Sequence, residues 1–385
     1  MRVLALTFIA ALALTTPAFA QGMTACEEDE LLTYLNRSDL TEQALKDADV
    51  HSNAARSVFA YRAGPDQTID TPDDEYFDDT AEIDGLGFVG PAAMRQLAYI
   101  VKPKCEHPSI RLGAWNIKKM GHGESKDYPL LARIIEDKFD VLAVVEVMQK
   151  DNKHPGYDDL VAALGQVSSD WTSFVTDNPR PNTGAGHAEF YALFLRKNVA
   201  RPCPDWAGSL RYIKDNDGGP SGTGTDVFSR EPAYMCIQVW LDGANSADFM
   251  LGIYHALHEG SATKIQAEVN HIDHVFHQMS DDKPTEWDLF VMGDFNLRPK
   301  KLHPCTKAKD HTVPSPSTLN SEGGLGKNEY DHLLVRWLDE SRELLGPAEV
   351  LDVRYYAGSR KDFFDTVSDH LPIRVRVRVD STDDD

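Results

Sequence analysis

The run WDLFVMGDFN (287–296) sets four apolar residues, Leu289 to Met292, before Gly293, Asp294 and Asn296. It reads as a buried strand, and period two puts Asp294 and Asn296 on one face at its end. A carboxylate and a carboxamide side by side suit a site for a phosphate and a divalent cation. Five further segments end strand-like runs on polar groups. AWNI offers Asn116, AVVEVM offers Glu146, and YHALH offers His255 and His258. EYDHLLV offers Asp331, and TVSDHLPI offers Ser368, Asp369 and His370. Glu146 follows four apolar residues, an expensive burial unless a cation binds it. One such histidine is ordinarily a partly buried core residue. Two of them among several strand-end carboxylates and amides are hard to explain as packing.

The elements that must carry these groups alternate over residues 106–380. RLGAWNI, DVLAVVEV, EFYALFLRK, PAYMCIQVWL, FMLGIYHA, DLFVMGDF, HLLVRWL, EVLDVRY and LPIRVRVRV read as strands. YPLLARIIEDK and TKIQAEVNHIDHVFHQM read as amphipathic helices. Strands mixed with helices over this length predict an α/β sandwich of two sheets with helices outside. Residues 300–328 read as a long surface loop.

The first twenty residues have one early Arg2, an apolar run to Ala13, Pro17 and a small-residue Ala18-Phe19-Ala20 site. They predict a secretory signal peptide, so the chain is expected to be exported, periplasmic or extracellular, with no membrane span. Of five cysteines, Cys26 with Cys105 and Cys203 with Cys236 are the expected disulfides, leaving Cys305 free. The net charge of −22 counts against tight nonspecific binding to nucleic acid unless bound cations reverse the local sign. Residues 381–385 read as an acidic tail.

Residues 21–105 read as a separate small helical domain. AEIDGLGFVGPAAMRQLAYIV carries Gly85, Gly87 and Gly90 with Pro91 between two helical patterns. This resembles a helix-hairpin-helix module, as in ComEA-like DNA-uptake proteins. The preceding LNRSDLTEQALKDADVHSNAARSVFAYR looks like a degraded first copy. The resemblance implies that the hairpin amides around Gly87 and Gly90 meet DNA phosphates. Phe88 stands where the motif usually has its first glycine. The region carries seventeen acidic and seven basic residues between 26 and 105, so a helical domain that merely packs is the competing reading. Asp66, Asp70, Asp73 and Asp74 fit no calcium-loop spacing and read as a solvated charged loop.

The order WNI, EV, EFY, FSREP, H, GDFN, YD, SDH resembles the endonuclease/exonuclease/phosphatase superfamily, most of all its deoxyribonuclease I branch. FSREPAY (228–234) and EFYALFLRKNV (189–199) are the most similar stretches. The resemblance implies a four-layer αββα sandwich and hydrolysis of DNA. It implies that Glu146, with Asn116 and Asp369, holds Mg2+ or Mn2+, with Ca2+ as a further candidate. Asp294 and Asn296 would orient the phosphate and the attacking water. His255 would pair with Glu189 and His370 with Asp331, Arg230 would reach toward the phosphate backbone, and Tyr191 would support it. Met148 replaces a groove-entering Arg of the family and His187 replaces a sugar-stacking Tyr. The expected substrate is DNA, with no obligate protein partner and a monomeric chain. Two alternatives stand beside this: a phosphodiesterase for lipid or inositol phosphates, and a catalytically inactive DNA-binding protein.

Overall fold

The computed structural model describes residues 22–122, 125–151, 153–180, 188–206, 209–215, 227–241, 245–258, 261–336 and 343–380. The expected signal peptide, His187 and the acidic tail 381–385 lie outside the described residues. Among the described residues no helix is long and apolar enough to cross a membrane. The chain clusters into two compact units. One holds residues 1–36, 40–68 and 73–102; the other holds 37–39, 69–72 and 103–385.

The smaller unit is all helical: α1 Ala25–Leu35, α2 Glu42–Asp47, α3 Ser52–Arg62, α4 Thr80–Asp84 and α5 Pro91–Val101. Thr24 and Glu27 form a reciprocal capping box that starts α1. The approaches to α3 and α5 repeat one local pattern. A left-handed residue (Asp49, φ 63°; Phe88, φ 66°) precedes a buried valine (Val50, Val89) and then an N-cap (His51, Gly90). Phe88 takes this conformation without being glycine, and it is 75% exposed. The acidic loop is not simply solvated, as expected above. Asp74 pairs with the fully buried Arg62 at 2.9 Å, and Asp73 accepts the Asp66 amide at 3.0 Å. Asp70, within the larger unit, accepts from Arg354 Nη1 at 2.7 Å and from the Leu325 amide at 2.9 Å.

The larger unit runs β1 Ser109–Met120, α6 Tyr128–Lys138, β2 Val141–Met148, α7 Pro155–Val167, β3 Trp171–Val175 and β4 Glu189–Arg196. It continues β5 Ala200–Pro202, β6 Arg211–Tyr212, β7 Ala233–Leu241, β8 Asn245–His255, α8 Ala262–Val269 and α9 Ile272–Asp282. The last part is β9 Leu289–Asp294, α10 Pro299–Leu302, β10 Lys309–Asp310, β11 Asp331–Val335, β12 Glu349–Val350, α11 Arg360–Thr366 and β13 Ile373–Arg378. One sheet orders β12-β13-β1-β2-β4-β3 and the other β10-β11-β9-β8-β7-β5. β1 and β2 pack face to face on β8 and β9, with α6 and α7 outside one sheet and α9 outside the other. These are four layers, the αββα sandwich that the sequence predicts.

Strands β1 and β2 are parallel neighbours joined through α6, and β8 and β9 are parallel neighbours joined through α8 and α9. Such pairs collect polar groups at their carboxyl ends. Three expectations need correction. The predicted helix over 263–279 is two, broken at Asn270 and His271. The stretch PGYDDLVAALGQV forms α7, with Pro155 opening it. The stretch 300–328 is not purely surface: it contains α10 and β10, and Ser317 is fully buried. The Cys203–Cys236 disulfide forms and Cys305 is a buried free thiol, as expected.

Asp140, at the start of β2, ties three elements together. It takes the Arg111 amide and guanidinium at 2.9 and 3.0 Å and Arg196 Nε at 3.1 Å. Burial pushes its carboxyl up, but the two arginines outweigh burial and hold it below 3.8. Its contribution to stability is therefore present above that value and is lost as pH falls through the depressed one. Asp140→Ala should destabilise the larger unit by about 2–3 kcal/mol, because two arginines lose a charged acceptor. Chemical denaturation at pH 7 and pH 3 measures this. The deficit should shrink at the lower pH.

Candidate active site

Asp294 closes β9, and the register places it opposite His255 on β8 and opposite Asp331 on β11. Gly293 makes this close approach possible. Its φ is +142°, and a Cβ there would lie 2.0 Å from the Tyr254 carbonyl oxygen. Beyond Asp294 the chain turns at Asn296, which is itself left-handed (φ 50°), and the Asn296 amide donates to Asp294 Oδ1 at 2.8 Å.

Two imidazoles face the other carboxylate oxygen. His255 Nε2 is 3.8 Å and His370 Nε2 is 3.7 Å from Asp294 Oδ2. Each ring is held from behind by its own carboxylate: His255 Nδ1 by Glu189 and His370 Nδ1 by Asp331, both at 2.7 Å. Asn116 Nδ2 donates to Asp294 Oδ2 and to Glu146 Oε1, each at 3.0 Å. Glu146 sits at a bulge in β2 with φ 61°, so its side chain leaves the strand alternation and turns toward Asn116. The Lys119 amide caps its Oε2 at 2.7 Å.

These groups tune one another. Burial pushes Glu146 up, but His255, Asn116 and the Lys119 amide outweigh it and hold the carboxyl at about 2. Burial lowers His370, yet Asp331 and Asp294 carry its pKa up to about 10. Burial and Arg230 push His255 down, while Glu189 and Asp294 bring it above 6.5. Asp294 lies above 3.8, raised first by burial. The donor set fits a hard cation. Glu146 stays ionised, and Asn116 Oδ1 is buried without a hydrogen-bond partner. Asp369 stands half-buried beside His370 and helps keep that imidazole charged.

The residues expected from the motif order therefore meet, with two corrections. Arg230 does not reach outward: it is 5% exposed, and its guanidinium binds Glu189 at 2.7 Å and the carbonyls of His255 and Ala256. Tyr191 is fully buried, its hydroxyl accepting the His255 amide at 3.3 Å. Both hold the His255–Glu189 pair rather than a phosphate. Met148 is buried too. Gly87 and Gly90 lie in the smaller unit; Gly90 caps α5, and a Cβ on either would meet nothing within 4 Å.

Other contributors escaped the sequence reading. Ser317 Oγ accepts the Tyr330 and Asp331 amides, and the Ser317 carbonyl accepts the Leu371 amide, so one serine joins the Asp331 and His370 segments. Ser368 Oγ donates to the Asn116 carbonyl at 2.6 Å and accepts the His370 amide. The Trp115 indole holds the His370 carbonyl at 2.9 Å. The Lys119 contact is made by backbone and left no side-chain signal. Ser317 was hidden in a stretch whose Pro, Ser and Gly content reads as loop.

No family model matches the chain. The deoxyribonuclease of Thioalkalivibrio sp. (strain K90mix) is 27% identical over 294 residues, covering 72% of this chain and 74% of that protein. Deoxyribonuclease-1 of Oryctolagus cuniculus is 22% identical over 281 residues, covering 69% of this chain and 92% of that one. Among solved structures, the endonuclease/exonuclease/phosphatase from Bacteroides vulgatus superposes with a TM-score of 0.48 at 15% identity, over 71% of this chain and 100% of that one. Sequence likeness to deoxyribonucleases, joined to a two-sheet sandwich, supports the endonuclease/exonuclease/phosphatase superfamily, its deoxyribonuclease I-like branch and a hydrolytic enzyme.

Proposed function

We infer that the chain is an exported, monomeric, divalent-cation-dependent DNA endonuclease, largely indifferent to sequence, that leaves 5′-phosphate ends. One observation carries this reading. Two histidine–carboxylate pairs, on separate strand ends, aim their free Nε2 atoms at one buried carboxylate oxygen, 3.8 and 3.7 Å away. That is an arrangement for serving both sides of one phosphorus atom without a covalent intermediate.

Glu146 and Asn116, with Asp369, are the groups that would hold Mg2+ or Mn2+. The bound cation supplies charge neutralisation for the nonbridging oxygens. The chain's own residues do the proton work. His370, charged near neutrality by Asp331 and Asp294, donates to the leaving O3′ as the P–O3′ bond breaks. His255, oriented through Nδ1 by Glu189, receives the proton from the water that forms the new P–O bond. Asp294 and Asn296 orient the phosphate and the water. Arg230 and Tyr191 act as positioning residues behind His255.

Grip on long DNA is assigned to the smaller unit. Gly87 and Gly90 flank an exposed Phe88 at the start of α5, whose N-terminus has no side-chain cap. This supports amide contact with phosphates, in a chain whose net charge otherwise repels them. The likeness to named deoxyribonucleases favours DNA over lipid or inositol phosphates.

Purified protein should nick plasmid DNA with Mg2+ and stop on EDTA addition, while releasing nothing from sphingomyelin or inositol phosphates. His255→Ala and His370→Ala should each lower kcat by about 10²–10⁴. Wild-type nicking by either variant removes that histidine from the site. Gly87→Glu adds a carboxylate in open space. It should raise KM for long DNA and leave turnover of a small phosphodiester unchanged; an unaltered KM detaches the hairpin from binding.

A further inference from the structure

A second cluster lies behind the Asp294 loop, on the far side of β11, and takes no part in the reaction above. His332 follows Asp331, so period two turns its ring to the opposite face of the strand. The ring is 1% exposed and stacks edge-on against Phe295. Its Nε2 lies 2.8 Å from the Leu297 carbonyl and 3.1 Å from the Glu329 carbonyl. Two carbonyl acceptors fix that nitrogen as the N–H. The other nitrogen, Nδ1, lies 3.1 Å from Asp310 Oδ2. Neither His332 Nδ1 nor Asp310 Oδ1 completes a hydrogen bond, although both are buried. A third donor faces the same oxygen: His303 Nε2 is 3.5 Å from Asp310 Oδ2, on a ring that is 61% exposed and free to adjust.

A lone pair on Nδ1 beside a buried carboxylate needs a cation. A proton on the ring would serve, and so would a metal ion. The second imidazole directed at the same oxygen favours the metal. An imidazole whose remote N–H is held by backbone carbonyls is the usual form of a metal-bound histidine. Two imidazoles and one carboxylate suit a borderline cation such as Zn2+, unlike the oxygen-rich set around Glu146. We propose that His303, Asp310 and His332 form a zinc-class site separate from the catalytic cation site. A cation there would join β10 and β11 to the segment that leaves Asn296 through Leu297, holding the floor of the catalytic loop.

The test is Zn2+ titration by calorimetry on the full chain carrying Glu146→Gln, which weakens the catalytic cation site. Co2+ loading, read by visible absorption, is the second readout. One equivalent of Zn2+ is expected, with Co2+ bands of tetrahedral intensity. Adding Asp310→Asn should abolish both signals. Adding His303→Ala, at an exposed position that leaves the fold intact, should weaken binding by roughly tenfold or more. No bound equivalent in the Glu146→Gln protein, or equal binding after His303→Ala and Asp310→Asn, would overturn the site and leave a protonated His332–Asp310 pair.

Discussion

The arrangement depends on the burial of one carboxylate. Asp294 is 2% exposed at the meeting of three strands, where an unpaired charge would cost several kcal/mol. Its surroundings answer that cost with two imidazoles, one carboxamide and one backbone amide. Each of these partners comes from a different part of the fold. His255 arrives by parallel pairing with β9, Asp331 and its His370 by antiparallel pairing and loop contact, and Asn116 from the facing sheet. The two sheets must therefore pack in one register for the carboxylate to be tolerated at all.

The same constraint explains the local departures from regular geometry. Gly293 lets β9 approach Tyr254 closely, and the bulge at Glu146 turns one side chain out of alternation toward Asn116. Left-handed Asn296 brings its amide back onto Asp294. These strained positions cluster at the site, while the strands feeding it are uninterrupted apolar runs. Behind it, Arg230, Tyr191, Ser317, Ser368 and Trp115 spend their polar groups on holding the site rather than on solvent.

Much of this was legible from the chain. Buried strands announce themselves as apolar runs, and their polar ends fall at countable positions, so Asn116, Glu146, His255, Asp294, Asp331 and His370 could be selected together. What stayed hidden depends on direction rather than on residue type. FSREP marks Arg230 as functional, but only the fold shows its guanidinium turned inward to Glu189. The acidic loop reads as solvated because a sequence does not show that Arg62 and Arg354 are buried beneath it. α7 begins at His-Pro-Gly, a turn signal that masks the helix after it. The break at Asn270 has no proline or glycine to announce it.

Two histidines that serve opposite sides of one phosphate in one step act as a unit, and such units are strongly non-additive. Single-turnover cleavage by His255→Ala, by His370→Ala and by the double variant measures the coupling directly. The account predicts that the double variant loses little more than the worse single variant. Losses that multiply, as for independent sites, would contradict a shared phosphate between the two imidazoles.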